Sequence, residues 1–113
     1  MTVFWTAGDV AVALFPYSDL SLAPARPALV LSTGEFAELT GNTVLAMITT
    51  GLRSTWPFDT RLQDHESAGL RVSSVVRMRL ATVANARVAS RLGRLSEADC
   101  ANVSAAFARA FPL

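Results

Sequence analysis

Five side chains of this sequence suit the chemistry of a phosphodiester, and each lies in or at the end of an apolar run. They are Arg26, Thr49, Thr50, Arg77 and Arg79. A guanidinium group binds phosphate in a bidentate manner and stabilises negative charge as it develops in a transition state. Threonine hydroxyls donate hydrogen bonds to the same oxygens. Because arginine and threonine are common at strand ends, the pattern indicates an anion site without identifying the anion.

Residue sets that other enzyme classes need are missing from the sequence. It has no phosphate-binding glycine loop, no serine in a nucleophile elbow and no cluster of metal-ligand residues. The single histidine, His65, is expected to be a solvated residue of a polar turn. The single cysteine, Cys100, is expected to be a core thiol on a helix. The sequence therefore predicts neither a metal nor a cofactor, and no internal disulfide.

The 113 residues predict one domain, residues 1–113, that is apolar for its size. Hydrophobic residues make up 51% of the chain and charged residues 17%, so we expect a partner or a second copy to cover some apolar surface. No window approaches the roughly 18 apolar residues of a membrane span, and the start lacks the features of a signal peptide. The expected location is the cytoplasm.

Charge is unevenly distributed along the chain, although the net charge is only +1. The segment from Ser67 to Ser96 contains six arginines and no acidic residue. Seven of the nine acidic residues lie before Ser67. This asymmetry indicates a basic face that binds an anion, either nucleic acid or an acidic peptide.

Arg26 precedes a short apolar run, and the segment Arg26–Ser32 predicts a buried strand. Pro27 suits the start of a strand, where it need not donate a ladder hydrogen bond, and it disfavours helix at Arg26. Two interpretations of Arg26 follow. It is either a gatekeeper charge beside an aggregation-prone strand or a phosphate-binding cation. These residues alone favour the gatekeeper.

The remaining elements predict a mainly β fold with short helices, arranged as a small β-barrel with a C-terminal helix. Further strands are expected over Val10–Phe15, Thr43–Ile48, Phe58–Leu62 and Ser74–Val83. A helical turn is expected across Glu35–Glu38, a short helix over Ala86–Leu92 capped by Asn85, and the last helix after Ser96.

Alternation assigns the faces of two of these strands. In the strand from Ser74, Arg77 and Arg79 are expected on one face, where they repel each other unless an anion is near. The other face is expected to carry Val76, Met78, Leu80 and Thr82. In Phe58–Leu62, the first, third and fifth residues are expected to face inward while Asp59 and Arg61 face water.

Several of these segments resemble the MazF/PemK family of toxins, in family order over about residues 8 to 110. Gly8–Asp9, Phe15–Leu20 and Arg26–Ser32 are similar to its N-terminal half, and Ala46–Thr50 to its central strand with an Ile-Thr ending. Ser74–Leu80 and Leu92–Ser96 resemble its closing strand and the entry to its last helix.

This resemblance implies a homodimeric SH3-like barrel that acts as the toxin of a type II toxin–antitoxin system. It implies a metal-independent, sequence-specific endoribonuclease that cuts single-stranded mRNA by attack of a 2′-hydroxyl on the phosphodiester. Catalysis is then expected from Arg26 and Thr49, with RNA contacts from Ser18, Asp19, Thr50, Arg77 and Arg79. The expected protein partner is an antitoxin whose flexible acidic tail covers the basic groove.

The sequence departs from the family in two places and leaves alternatives open. Some members carry an acid where Arg79 stands, and some carry a histidine in the first loop, which has none here. The general base and acid therefore stay unassigned, with Asp19, water or positioning alone as options. Arg77 and Arg79 either contact RNA or serve a structural or antitoxin-binding role. Rival functions are a non-enzymatic, CcdB-like gyrase poison and an inactive barrel that only binds antitoxin or RNA.

Overall fold

The structure is a computed structural model that describes residues 4–15 and 25–113. The described residues form six strands, two α-helices and a 3₁₀ turn, Asn85–Arg87. The strands are β1 Asp9–Ala13, β2 Arg26–Val30, β3 Asn42–Thr49, β4 Thr60–Arg61, β5 Val75–Ala84 and β6 Val88–Arg94. The helices are α1 Gly34–Thr40 and α2 Glu97–Ala110. Neither helix is long and apolar enough to cross a membrane.

The strands form one antiparallel sheet in the order β4-β5-β3-β2-β1-β6. The predicted mainly β fold with a C-terminal helix is confirmed. The sheet ends in β4 on one side and β6 on the other, so hydrogen bonding among the described residues does not close it into a barrel. The strand β2, which begins at Arg26, lies inside the sheet between β1 and β3.

Both faces of the sheet carry a buried core, because successive side chains of a strand point to opposite faces. The helix-side core includes Val10, Leu29, Ile48, Val76 and Val103. The opposite core includes Ala11, Val30, Leu45, Val83 and Val88. Because both faces of the sheet are buried, the sequences of β1, β2 and β3 are nearly continuous apolar runs. It also makes β2 a rigid support for the residue at its start.

The helix α2 begins as the sequence predicts. The Ser96 side chain accepts a hydrogen bond from the Asp99 backbone N–H at 3.1 Å. The Asp99 carboxylate is fully buried and also accepts from the backbone N–H groups of Gln63 and Asp64, at 2.8 and 3.0 Å. These bonds satisfy a buried charge and attach α2 to the segment after β4.

The predicted helix over Ala86–Leu92 is wrong, because this segment forms the end of the 3₁₀ turn and most of β6. Local alanine and arginine content favours helix there, yet pairing with β1 prevails and brings Val88 opposite Ala13. The Asn85 side chain does not cap a helix. It accepts a hydrogen bond from Thr43 Oγ1 at 2.8 Å and donates one to the Ala37 carbonyl at 3.0 Å.

The predicted faces of β5 are wrong beyond Arg77, because the pairing with β3 is irregular. Met47 lies opposite Arg77 and Ala46 opposite Leu80, so β5 advances three residues while β3 advances one. A bulge of this kind resets the alternation. Thr82 is therefore exposed rather than buried on the face of Val76.

The predicted strand Phe58–Leu62 is much shorter in the structure. Only Thr60–Arg61 is strand, and Phe58 is 37% exposed with a φ of 67°. Leu62 is buried as predicted. The Asp59 side chain does not face water, because it lies against Arg77 and is only 15% exposed.

A substitution at Gly93 can test how tightly β6 packs against the turn that contains Ser67. A Cβ atom at Gly93 would overlap the Ser67 carbonyl oxygen and the Ala68 backbone. We expect Gly93→Ala to lower the free energy of unfolding by about 1–3 kcal/mol, measured by urea denaturation. The control is Gly34→Ala, whose Cβ would meet nothing closer than Phe4 Cβ at 3.8 Å. That variant should be as stable as the parent or slightly more so, and equal urea midpoints for the two variants would contradict the packing described here.

Candidate nucleic-acid site

The register of β2 on β3 brings together the two residues expected to carry catalysis. Ala28 lies opposite Met47 and Leu29 opposite Ala46. This pairing ends two residues before Arg26 and Thr49, and both of these residues are still within their strands.

Arg26, Thr49 and Thr50 line two adjoining lobes of an open cleft at this end of the sheet. The first lobe, which we call the Arg71 lobe, has a volume of about 420 Å³. Its other lining residues are Pro27, Ile48, Gly69, Leu70, Arg71, Val72 and Ser74. The Arg53 lobe, of about 460 Å³, is completed by Gly51, Leu52, Arg53 and Ser54. Thr49 and Thr50 are half-buried and Arg26 is exposed, so the shared wall offers a reachable cation beside two hydroxyls.

Arginine is the only charged residue type lining the described cleft. Arg26, Arg53 and Arg71 are all exposed, and no carboxylate lines either lobe. A concave site with cations of one sign attracts an anionic ligand. Arg53 and Arg71 were not predicted as site residues, because nothing in their local sequence places them near Arg26.

Arg77 holds the segment 51–59, whose first four residues line the Arg53 lobe. Its guanidinium donates two hydrogen bonds to the Asp59 carboxylate, at 3.1 and 2.8 Å. It donates two more to the Ser54 hydroxyl and carbonyl, at 3.1 and 3.0 Å. The hydrogen bonds to Asp59 raise the pKa of Arg77 above its ordinary value, so the group stays cationic. The Trp56 ring also packs on this guanidinium, with its centroid 5.5 Å from Arg77 Cζ.

These contacts give Arg77 a structural role, with the Asp59 carboxylate as the anion beside its guanidinium. Its side chain is only 7% exposed, and neither Arg77 nor Arg79 lines the cleft formed by the described residues. The structure thus favours the structural alternative for Arg77, while contact of Arg77 or Arg79 with RNA stays a prediction. Ser18 and Asp19 lie outside the described residues.

Arg61 holds the backbone of Thr50, one of the residues that line both lobes. Its Nη1 atom donates to the Thr50 carbonyl at 3.1 Å and to the Ser73 hydroxyl at 3.2 Å. Gly51 follows with a φ of 74°, a conformation that favours glycine. The chain therefore turns sharply after the two threonines, and Arg61 holds that turn against the segment that enters β5.

The turn at one edge of the Arg71 lobe is held by its own hydrogen bonds. The Asp64 carboxylate accepts from the Ser67 hydroxyl at 2.6 Å and from the Ser67 backbone N–H at 3.1 Å. The hydroxyl bond is the main reason that the pKa of Asp64 is lowered. The Ser67 carbonyl in turn accepts from the Arg94 backbone N–H at 3.0 Å, which fastens the turn to β6.

Comparison with known proteins gives one family match. The model of the PemK-like, MazF-like toxins of type II toxin–antitoxin systems matches residues 6–111. A comparison with curated protein sequences finds no match. The family match covers the strands, the cleft and α2.

Solved structures of this family share the fold at low sequence identity. The MazF protein of Deinococcus radiodurans is 24% identical with a TM-score of 0.74, and the match covers 99% of this chain and 100% of that one. An endoribonuclease from a mycobacterial species, solved with its cognate antitoxin, is 18% identical with a TM-score of 0.75, covering 99% and 97%. A MazE–MazF complex from Deinococcus radiodurans is 22% identical with a TM-score of 0.75, covering 99% of each chain.

The role of Arg77 can be tested by removing its charge. Arg77→Met leaves the Asp59 carboxylate 15% exposed and without its ion-pair partner. We expect the free energy of unfolding to fall by about 3 kcal/mol, the lower end for a broken buried ion pair. Combining it with Asp59→Leu should recover part of the loss, because no buried charge is then left unpaired.

The matched control for this test is Arg87→Met, at an exposed arginine of the 3₁₀ turn. Its effect on the free energy of unfolding should stay within about 0.5 kcal/mol. If urea denaturation gave the same midpoint for both single variants, Arg77 would not be the residue that holds the segment 51–59.

Proposed function

Because the chain belongs to the PemK-like, MazF-like toxins of type II toxin–antitoxin systems, we propose that it is an endoribonuclease that cleaves single-stranded RNA. The observation that carries the proposal is that Arg26 and Thr49 line the same cleft, in which arginines are the only charged residues among those the structure describes. That a protein of similar fold is described as an endoribonuclease supports it further. The proposed substrate is mRNA, cut at a short sequence motif.

The proposed reaction is an internal transesterification. The 2′-hydroxyl oxygen attacks the adjacent phosphorus, the bond from phosphorus to the 5′-oxygen breaks, and the products end in a 2′,3′-cyclic phosphate and a 5′-hydroxyl. The Arg26 guanidinium stabilises the additional negative charge of the pentacoordinate transition state. The Thr49 hydroxyl donates to a non-bridging oxygen and keeps the phosphate in line with the attacking group. Arg26 thereby supplies the positive charge that a metal ion provides in other nucleases.

Proton transfer is the part of the mechanism that the described cleft does not assign to a side chain. The lining residues include neither a carboxylate nor an imidazole, and a guanidinium does not release its proton in proteins. We propose that water takes the proton of the 2′-hydroxyl, with Asp19 as the alternative base, and that a water molecule gives a proton to the leaving 5′-oxygen. On the first option, positioning and charge stabilisation provide most of the rate enhancement.

Arg53 and Arg71 extend the proposed site along the RNA strand on both sides of Arg26. Each belongs to one lobe, and the lobes share the wall formed by Arg26, Thr49 and Thr50. A strand whose scissile phosphate lies at this wall has a neighbouring phosphate near each of the outer arginines. Such contacts increase affinity and salt dependence without selecting a sequence.

The proposed protein partners are a second copy of the chain and an antitoxin. Similar chains have been solved together with antitoxins. An acidic tail of the antitoxin would occupy the arginine-lined cleft and exclude RNA from it. Large apolar side chains on the surface, such as Leu39 and Leu52 at 78% and 85% exposure, support a covered apolar surface in the assembly.

The proposal predicts a strong effect of Arg26→Ala on RNA cleavage. Loss of a fixed cation at the transition state should slow cutting on the order of a hundredfold. Thr49→Val, which removes a neutral donor, should cost up to about tenfold. The measurement is the rate of cutting of a long single-stranded RNA in excess EDTA, with new 5′ ends mapped.

The control for the cleavage assay is Arg87→Ala, at an exposed arginine that does not line the described cleft. It should cut at the parental rate. A folded Arg26→Ala variant that cuts as fast as the parent would refute the assignment. Intact RNA together with stalled gyrase would instead support the non-enzymatic toxin.

A further inference from the structure

Trp56 presents an exposed indole ring beside the Arg53 lobe, and we propose that this ring stacks an unpaired RNA base next to the cleaved phosphodiester. The inference rests on the proposed function and adds a base-binding subsite to it. Trp56 is 40% exposed although it is among the largest and most apolar side chains. Aromatic faces of this kind bind bases of single-stranded nucleic acids, because every base has a π-face.

The ring is held in place by the same contacts that hold the segment 51–59. It packs on the Arg77 guanidinium at 5.5 Å, and four hydrogen bonds fix that group to Asp59 and Ser54. The Trp56 backbone N–H donates to the Asp59 carboxylate at 3.2 Å, and the Trp56 carbonyl accepts from the Asp59 N–H at 3.1 Å. A ring fixed in this way loses little conformational entropy when a base stacks on it.

Ser54 connects the ring to the cleft. Ser54 lines the Arg53 lobe, and its hydroxyl and carbonyl accept hydrogen bonds from Arg77, the residue that Trp56 covers. The Arg77 guanidinium therefore contacts both the indole ring and a residue that lines the Arg53 lobe. A phosphate on Arg26 or Arg53 and a base on Trp56 would then belong to the same nucleotide or to neighbouring ones.

The surroundings favour RNA over a protein as the occupant of this surface. Among the residues that the structure describes, the adjoining lobe contributes the Arg53 cation, hydroxyl groups and no carboxylate, which suits a ligand with a phosphate beside each flat base. The Asp59 carboxylate, which accepts from the Trp56 backbone N–H, is already engaged by Arg77. Because Arg77 lies against the indole and Trp56 is still 40% exposed, the base would stack on the ring face away from Arg77.

Fluorescence can observe the stacking directly, because the chain has two tryptophans. Trp5 packs against the core opposite α2, and Trp5→Phe leaves Trp56 as the single fluorophore. The ligand is an RNA oligonucleotide with the sequence at which the parent cuts, made uncleavable by a 2′-deoxy sugar at the scissile nucleotide. Binding should quench Trp56, and an abasic substitution at one position near the scissile phosphate should abolish the quenching.

Two variants separate stacking from simple packing. Trp56→Leu should bind the complete oligonucleotide about tenfold more weakly and should be insensitive to the abasic position that weakens the parent. Trp56→Phe should retain most of the affinity and the sensitivity. Urea denaturation of each variant shows whether its fold is intact.

The outcomes distinguish this inference from the proposed function. If the parent cuts RNA while Trp56→Leu binds as tightly as the parent and no abasic position alters quenching, the ring only covers Arg77 or contacts a protein, and the inference is overturned. If the parent neither binds nor cuts RNA, the proposed function fails and this inference fails with it.

Discussion

The register between β2 and β3 is the constraint on which the site depends. A slip of one residue would move every buried side chain of β2 to the other face. Ala28, Leu29 and Val30 are at most 2% exposed, and both faces of the strand are packed. The pairing of Ala28 with Met47 and of Leu29 with Ala46 therefore holds the end of β2 that carries Arg26 near the end of β3 that carries Thr49. A cation at the start of such a strand is better positioned than one on a free loop.

Polar contacts between distant segments build the remainder of the cleft around this pair. Arg77 on β5 holds Asp59 and Ser54, and so shapes the Arg53 lobe. Arg61 on β4 holds the Thr50 carbonyl behind the shared wall. Asp59 and Ser54 pair the buried Arg77 guanidinium, whereas the bond from Arg61 to the Thr50 carbonyl lies at the surface. The cations that face the cleft are thereby distinguished from those, such as Arg77, that are already engaged inside the protein.

Local signals explain which parts of the structure the sequence could predict. The strand predicted over Arg26–Ser32 forms over Arg26–Val30, and the cap at Ser96 is confirmed, because proline placement, apolar runs and capping act over a few residues. The helix predicted over Ala86–Leu92 does not form, because pairing with β1 outweighs the helical composition of this segment. The prediction that Thr82 shares a face with Val76 is wrong, because the alternation of apolar and polar residues does not show that β5 contains a bulge.

The candidate site was only partly predictable, for the same physical reason. Local sequence favoured a gatekeeper role for Arg26, and its pairing with Thr49 came from the family resemblance. Arg53 and Arg71 reach the cleft through long-range packing that no spacing indicates. Alternation placed Arg77 and Arg79 on one face, but it did not reveal that Asp59 engages Arg77.

The most direct test of the central claim is the chemistry of the RNA ends after incubation with the purified protein in excess EDTA. Attack by the 2′-hydroxyl at Arg26 and Thr49 predicts a 2′,3′-cyclic phosphate on one fragment and a 5′-hydroxyl on the other. It also predicts no cutting when the scissile nucleotide carries a 2′-deoxy sugar. Fragments with a 3′-hydroxyl and a 5′-phosphate, cutting of the 2′-deoxy substrate, or RNA that stays intact would contradict the account.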